Sequence, residues 1–157
     1  MINLSKKARF LKQEYTPLLL RISPDTLPQW GKMNPQQMVE HMIESVAMAY
    51  GNPPYELITP ADKIEKIQEF LKSEADFKPN TANSLLPENP RPTKLASYQE
   101  AVHILQDELN NFFTAFDNEK KKYVLNPFFG ELDYGLSIQL LYKHSWHHLR
   151  QFGLELA

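Results

Sequence analysis

The stretch Asp133-Tyr134-Gly135-Leu136-Ser137-Ile138-Gln139-Leu140-Leu141-Tyr142-Lys143-His144-Ser145-Trp146-His147-His148-Leu149-Arg150-Gln151-Phe152-Gly153 reads as one amphipathic helix, and it carries three of the chain's five histidines. At about 100° per residue, His148 lies about 40° around the helix from His144, Gln151 about 20° the other way and His147 about 60°. Leu140, Leu141 and Phe152 flank this arc, so imidazole rings occupy the middle of the face expected to point inward. Lys143 and Arg150 project about 100–120° from His144, where solvent is expected. A core that places imidazoles at its centre must hydrogen-bond them or give them a metal.

Upstream, Tyr98, Val102, Leu105, Leu109, Phe112 and Phe116 recur at helical spacing and predict a long core helix from about Ser97 to Phe116. Asn34-Pro35 is a clear helix start, a capping residue followed by proline at the first helical position. The helix it opens runs to about Tyr50 and ends at Gly51-Asn52-Pro53-Pro54. Ser5 to Tyr15 is also helical in spacing, and Thr16-Pro17 predicts a break and restart, with Leu18 to Ile22 as the continuation. Ser23 to Pro28 reads as a loop, Ala61 to Leu71 as a shorter helix, and Phe77 to Pro92 as a proline- and asparagine-rich connection. Its Pro-Glu-Asn-Pro-Arg-Pro run is expected to be a surface crossing rather than an extended partner-binding motif. Tyr123 to Gly130 has room for a brief extended segment, but nothing elsewhere alternates well enough to build a sheet with it. Three or four long amphipathic helices without a sheet predict an all-α chain, a helical bundle with long connecting loops.

The 157 residues suffice for one domain spanning 1–157, and a second would leave neither half with an adequate core. With 42% hydrophobic and 23% charged residues the chain is globular in composition. A formal net charge of −2 argues against nucleic acid as a partner, because neutralising phosphates takes a basic surplus or face. Glu119-Lys120-Lys121-Lys122 is the nearest approach to one and is expected to be a solvated turn. There is no cysteine, hence no disulfide, thiolate ligand or cysteine nucleophile; any thiol chemistry requires a ligand that brings its own sulfur. Met1 to Lys7 is not an apolar signal segment, and no apolar run approaches the roughly 18–20 residues that span a bilayer, so no membrane association is expected and the cytoplasm is the expected compartment.

On the Asn34–Tyr50 helix, Met38, Met42, Ser45, Val46 and Ala49 form the apolar arc, and the methionines are expected to be adaptable core filler. His41 falls at the boundary of that arc, with Gln37 about 40° and Glu44 about 60° away on its polar flank. A histidine there faces both the core and a water-filled mouth. The i, i+4 pair His144/His148 places two rings on one face about one turn apart, close enough to grasp one ion. A third histidine from another helix would complete a shell with a position left for water or substrate, and neutral imidazole suits Zn, Ni, Cu or Fe alike. The alternative reading of the same residues is a set of hydrogen-bonded or exposed histidines without an ion.

Three segments together carry a family resemblance: Trp30-Gly31-Lys32-Met33-Asn34-Pro35 with Gln37, Met38 and His41; Asn126-Pro127-Phe128-Phe129-Gly130; and Tyr142 to Phe152 with its His-His-x-x-Gln pattern. In this ordered combination the chain, from about Leu18 to Gly153, resembles the DinB-like superfamily, and within it an uncharacterised subgroup. The resemblance implies a four-helix bundle with a divalent metal, nickel or zinc, held by three histidines. Carried over residue by residue, those ligands are His41, His144 and His148. It further implies metal-dependent enzymes that activate a small thiol, such as bacillithiol or mycothiol, or water, against a small electrophilic substrate. A homodimer is compatible with such proteins. Glu44 is a candidate to orient His41, accept a proton or add a fourth ligand, and Gln151 to hydrogen-bond a ligand ring or the substrate. His147 is expected outside the ligand shell, packed beside Leu136 and Leu154, and His103 on the surface. The opposing reading is a non-catalytic binding or dimerisation module, in which a metal only ties two helices together or is absent.

Overall fold

The computed structural model describes residues 3–79, 89–119 and 122–155. Residues 80–88 of the proline- and asparagine-rich connection and two of the three consecutive lysines therefore lie outside the described residues. The described chain is mostly helical, with core helices packed on one another and one two-stranded hairpin, in agreement with the expected helical bundle.

The first helical stretch consists of α1 (Leu4–Arg9), a π-helical turn over Phe10–Glu14 and α2 (Tyr15–Leu19). The Asn3 side chain caps it by accepting from the Lys6 amide at 3.1 Å. The expected break at Thr16-Pro17 is thus replaced by a widened turn just upstream. Pro17 has no N–H to offer the carbonyl four residues earlier and its ring crowds that position; the π turn takes up the mismatch and the chain stays helical to Leu19. Thr16 is no cap here: its hydroxyl donates to Gln106 Oε1 at 2.7 Å.

Helix α3 (Pro35–Ala49) opens with a complete capping box. The Gln37 amide donates to Asn34 Oδ1 at 2.8 Å and the Asn34 amide to Gln37 Oε1 at 2.9 Å. Two otherwise orphaned amides are satisfied at the start of the helix that carries His41. Met38, Val39, Met42 and Val46 are fully buried, so the apolar arc read from spacing is the packed face. After a loop and a 3₁₀ turn over Ala61–Lys63 comes α4 (Ile64–Lys72). Helix α5 (Tyr98–Asn118), capped by Ser97, buries the whole predicted stripe together with Ala101 and Phe113. It packs along α3 in the most extensive interhelical contact among the described residues. Fully burying one such Leu or Phe is worth roughly 1.5–3 kcal/mol, which makes this pair the stable frame of the bundle.

The brief extended segment is a real antiparallel hairpin, β1 (Val124–Asn126) with β2 (Gly130–Leu132), paired Val124 with Leu132 and Asn126 with Gly130. Asn126 Oδ1 holds its turn by accepting from the Phe128 and Phe129 amides at 2.9 and 3.1 Å. Gly130 is required there twice over: its φ is +81°, and a Cβ would stand 3.0 Å from the Ile64 side chain. The loop before α4 is fastened to the same turn, the Ile58 and Thr59 amides both donating to the Pro127 carbonyl.

The hairpin delivers the chain into α6 (Tyr134–Gln151), capped by Asp133, whose side chain accepts from the Leu136 amide at 2.9 Å. α6 is covered on several sides, by α1 and the π turn, α3, α4 and β2. Consequently Ser137, Ile138, Gln139, Leu141, Lys143, Ser145, Trp146, His148, Leu149 and Gln151 are all buried, more of the helix than one amphipathic face allows. Among the described residues no helix is long and apolar enough to cross a membrane.

Candidate metal centre

Helix α3 projects His41 toward α6, and α6 projects His144 and His148 from successive turns toward α3. His41 Nε2 lies 3.1 Å from His144 Nε2, and His148 Nε2 lies 3.0 Å from the same atom. Ligand atoms of all three residues fall within 4.8 Å of one another. The His41 ring meets those of His144 and His148 nearly edge-on, at 71° and 81°, which lets the Nε2 atoms converge instead of stacking the rings.

The donor set fits a single ion. Nitrogens bound tetrahedrally to one zinc at about 2.0–2.1 Å stand about 3.3 Å from each other, within a few tenths of an ångström of the two separations at His144 Nε2. Without an ion, His144 Nε2 faces two other ring nitrogens, and one proton can serve only one of those contacts. The protonated forms are also disfavoured. Burial, and secondarily His147, lowers the His41 pKa from 6.5 to about 4. Burial, followed by the neighbouring imidazoles, lowers His144 well below 6.5. His148 is lowered likewise by burial and His41, against the opposing effect of its hydrogen bond to Gln151 Oε1. Three neutral imidazoles with converging lone pairs are the form in which histidine ligates.

Gln151 touches this cluster directly. Its Oε1 lies 2.7 Å from His148 Nδ1, and its Nε2 donates to the Trp30 carbonyl at 3.0 Å. Glu44 is exposed, and its carboxylate lies 3.6 Å from Arg91 Nη1, directed along the outer flank of α3; it is not part of the converging group. His147 stands outside the converging nitrogens, its ring 5.4 Å from that of Trp30, 6.1 Å from Phe77 and 5.0 Å from His148. Burial and the Arg150 charge lower its pKa as well. His103 is exposed on α5, 3.8 Å from Asp107, as its place off the stripe predicts.

The solvent-facing position expected for Lys143 is corrected. Lys143 is 7% exposed, and its ammonium donates to the Phe70 and Ser73 carbonyls at 3.0 and 3.1 Å, over the Phe70 ring at 4.1 Å. The C-terminal end of α4 lies on that side of α6 and presents the Phe70 and Ser73 carbonyls, which carry a partial negative charge and take the ammonium as a further donor. Arg150 remains partly exposed and reaches Asp76 at 3.3 Å. Next to Lys143, Gln139 Nε2 donates to the Leu71 and Ser73 carbonyls, while its Oε1 accepts from Lys7, itself paired with Glu74. This network brings in Phe77, whose ring stands 6.3 Å from that of His144 and packs on Phe70 and Phe129. No spacing rule singles out Phe77, since it lies in a loop.

Compared with known proteins, the chain matches no family model, no curated protein and no solved structure.

Proposed function

We propose that this protein binds one divalent metal ion, nickel or zinc, through His41, His144 and His148, and that it is a metal-dependent enzyme acting on a small electrophilic substrate with a low-molecular-weight thiol or water as nucleophile. The observation that carries the reading is the gathering of ring nitrogens of three histidines from two helices within 4.8 Å of one another, with His144 Nε2 at 3.0–3.1 Å from the other two Nε2 atoms. The resemblance to the DinB-like superfamily, carried by the Trp30–Met33 and His147–Gln151 motifs, supports the same assignment. An ion held by three protein ligands lowers the pKa of a thiol or water at its remaining position, making a nucleophile near neutral pH.

The chain's own contribution is to hold and shield. His148 is buried while His41 and His144 are only partly so, leaving the His41 side of the cluster as the approach for a small molecule. Phe77 and Trp30 supply aromatic surface beside His144 and His147 against which an apolar part of a substrate packs. Gln151 holds the His148 ring, while Glu44, beside Arg91 on the exposed flank of α3 and outside the converging nitrogens, is in this reading a proton acceptor reached only through solvent. The absence of cysteine means that a thiol nucleophile arrives as a co-substrate.

The test is metal content by mass spectrometry on tag-free protein purified without added metal, comparing wild type with His144→Ala. About one ion per wild-type chain, lost in the variant, is the expected result. No ion in either protein, and no uptake of added nickel or zinc, overturns the proposal. Turnover of small electrophiles with thiols, abolished in His144→Ala while the fold persists, separates an enzyme from a metal-stabilised binding module, which would melt in a metal-dependent way without turnover.

A further inference from the structure

The loop that precedes α3 is fastened to the last residue of α6 through both main chain and side chain. The Gln29 amide donates to the Gln151 carbonyl at 2.8 Å, and Gln151 Nε2 donates to the Trp30 carbonyl at 3.0 Å. Gln151 is 3% exposed, so water does not compete for its amide. A primary amide has one accepting and one donating end, and a carbonyl oxygen only accepts. Trp30 therefore decides which end of Gln151 faces His148. With Nε2 committed to Trp30, Oε1 is presented to His148 Nδ1 at 2.7 Å, and an oxygen acceptor requires the proton on Nδ1. The lone pair is then on Nε2, the atom that meets His144 Nε2 at 3.0 Å. A flipped amide would oppose two oxygens at Trp30 and offer a donor to Nδ1, moving the proton to Nε2 and closing the ligand position.

Gly31 completes the arrangement. Its φ is +75°, and a Cβ there would stand 3.1 Å from Gln151 Nε2, so a side chain at this turn would strain the backbone and press on the amide that the turn holds.

We infer that the Trp30–Gly31 turn and Gln151 form a positioning device that fixes His148 as the Nδ1–H tautomer, with Nε2 free to ligate before any ion arrives. The inference rests on the three-histidine reading for its purpose. Its geometry belongs to the protein alone. A ligand ring held in the correct tautomer avoids a proton rearrangement on binding, and removing such an outer hydrogen bond weakens metal affinity by about 10- to 100-fold.

The experiment uses metal-free, nitrogen-15 labelled protein, reading the two ring nitrogens of each histidine at mildly alkaline pH, followed by zinc affinity from competition with a chromophoric chelator. Wild type should show a protonated Nδ1 and a bare Nε2 at His148. Gln151→Met, close in length but unable to hydrogen-bond, should lose that preference and bind zinc about 10- to 100-fold more weakly. Gly31→Ala should move both readings in the same direction and serves as the second variant if Gln151→Met does not fold. A wild-type His148 with its proton on Nε2, or variants that keep both tautomer and affinity, overturns the inference. Failure of wild type to take up zinc sinks the metal reading separately, while the ring spectra still decide whether the turn sets the tautomer.

Discussion

His41 and His144 stand 103 positions apart in sequence, on different helices, and bring their Nε2 atoms to 3.1 Å. Ring nitrogens meet this closely only when a proton or an ion lies between them. His144 Nε2 has the same relationship with His148 at 3.0 Å, so one atom is asked to satisfy two partners in a partly buried setting. The packing of α3 against α6 holds this unsatisfied arrangement in place, which is what a preformed ligand shell requires.

Metal removal should therefore lower the stability of the wild-type protein and leave a ligand variant unaffected. An ion present at about a thousand times its dissociation constant stabilises the folded state by about 4 kcal/mol, or about 10 °C in Tm for a chain of this size. Thermal melts with and without a chelator check this. His144→Ala should melt at one temperature in both.

Acid should destabilise the metal-free protein through the same residues. The folded-state pKa values lie below the unfolded value of 6.5, at about 4 for His41 and also lowered for His144 and His148. The unfolded chain thus binds more protons between these limits. Their contribution to stability is fully present above pH 6.5 and is lost as the pH falls toward 4. For His41 alone the shift corresponds to on the order of 3 kcal/mol. Urea midpoints measured from mildly alkaline to mildly acidic pH should fall steeply in wild type and less steeply in His144→Ala.

Lys143→Met should destabilise the protein by about 1.5 kcal/mol, the net worth of the ammonium's hydrogen bonds, because the Phe70 carbonyl keeps the Ser73 amide and hydroxyl and the Ser73 carbonyl keeps Gln139 Nε2 as donors. The aliphatic stem would still pack over Phe70, so the loss should report the Phe70 and Ser73 carbonyls at the end of α4. Urea denaturation measures it. Unchanged stability would show that water replaces the ammonium there.

Asn34→Ala should cost about 1 kcal/mol, because it removes the side-chain half of the capping box on the helix that carries His41. Asn34→Ser should recover most of it, as read from the same denaturation curves.

The cap at Asn34, the start of the last helix at Asp133, the buried stripe of α5 and the i, i+4 pair His144/His148 were all legible from residue order, because each depends on groups within a turn or two of one another. His41 was legible as a boundary residue suited to an accessible ion, but its choice as the third candidate ligand came from a family resemblance and not from spacing. Lys143 shows the limit. Its angle on α6 predicts solvent, yet the end of α4 covers that side and makes the lysine a further donor to its carbonyls. Gln151 was legible as a neighbour of the histidines; which end of its amide they meet was not, since the Trp30 carbonyl that decides it lies 121 positions away. Residue order by itself determined which helices form and which faces they offer, because hydrogen bonding and side-chain spacing within a helix are local. Only the tertiary structure decided which side chains share a point in space, because burial, tautomer and the convergence of three nitrogens are properties of the partners that packing brings in from elsewhere in the chain.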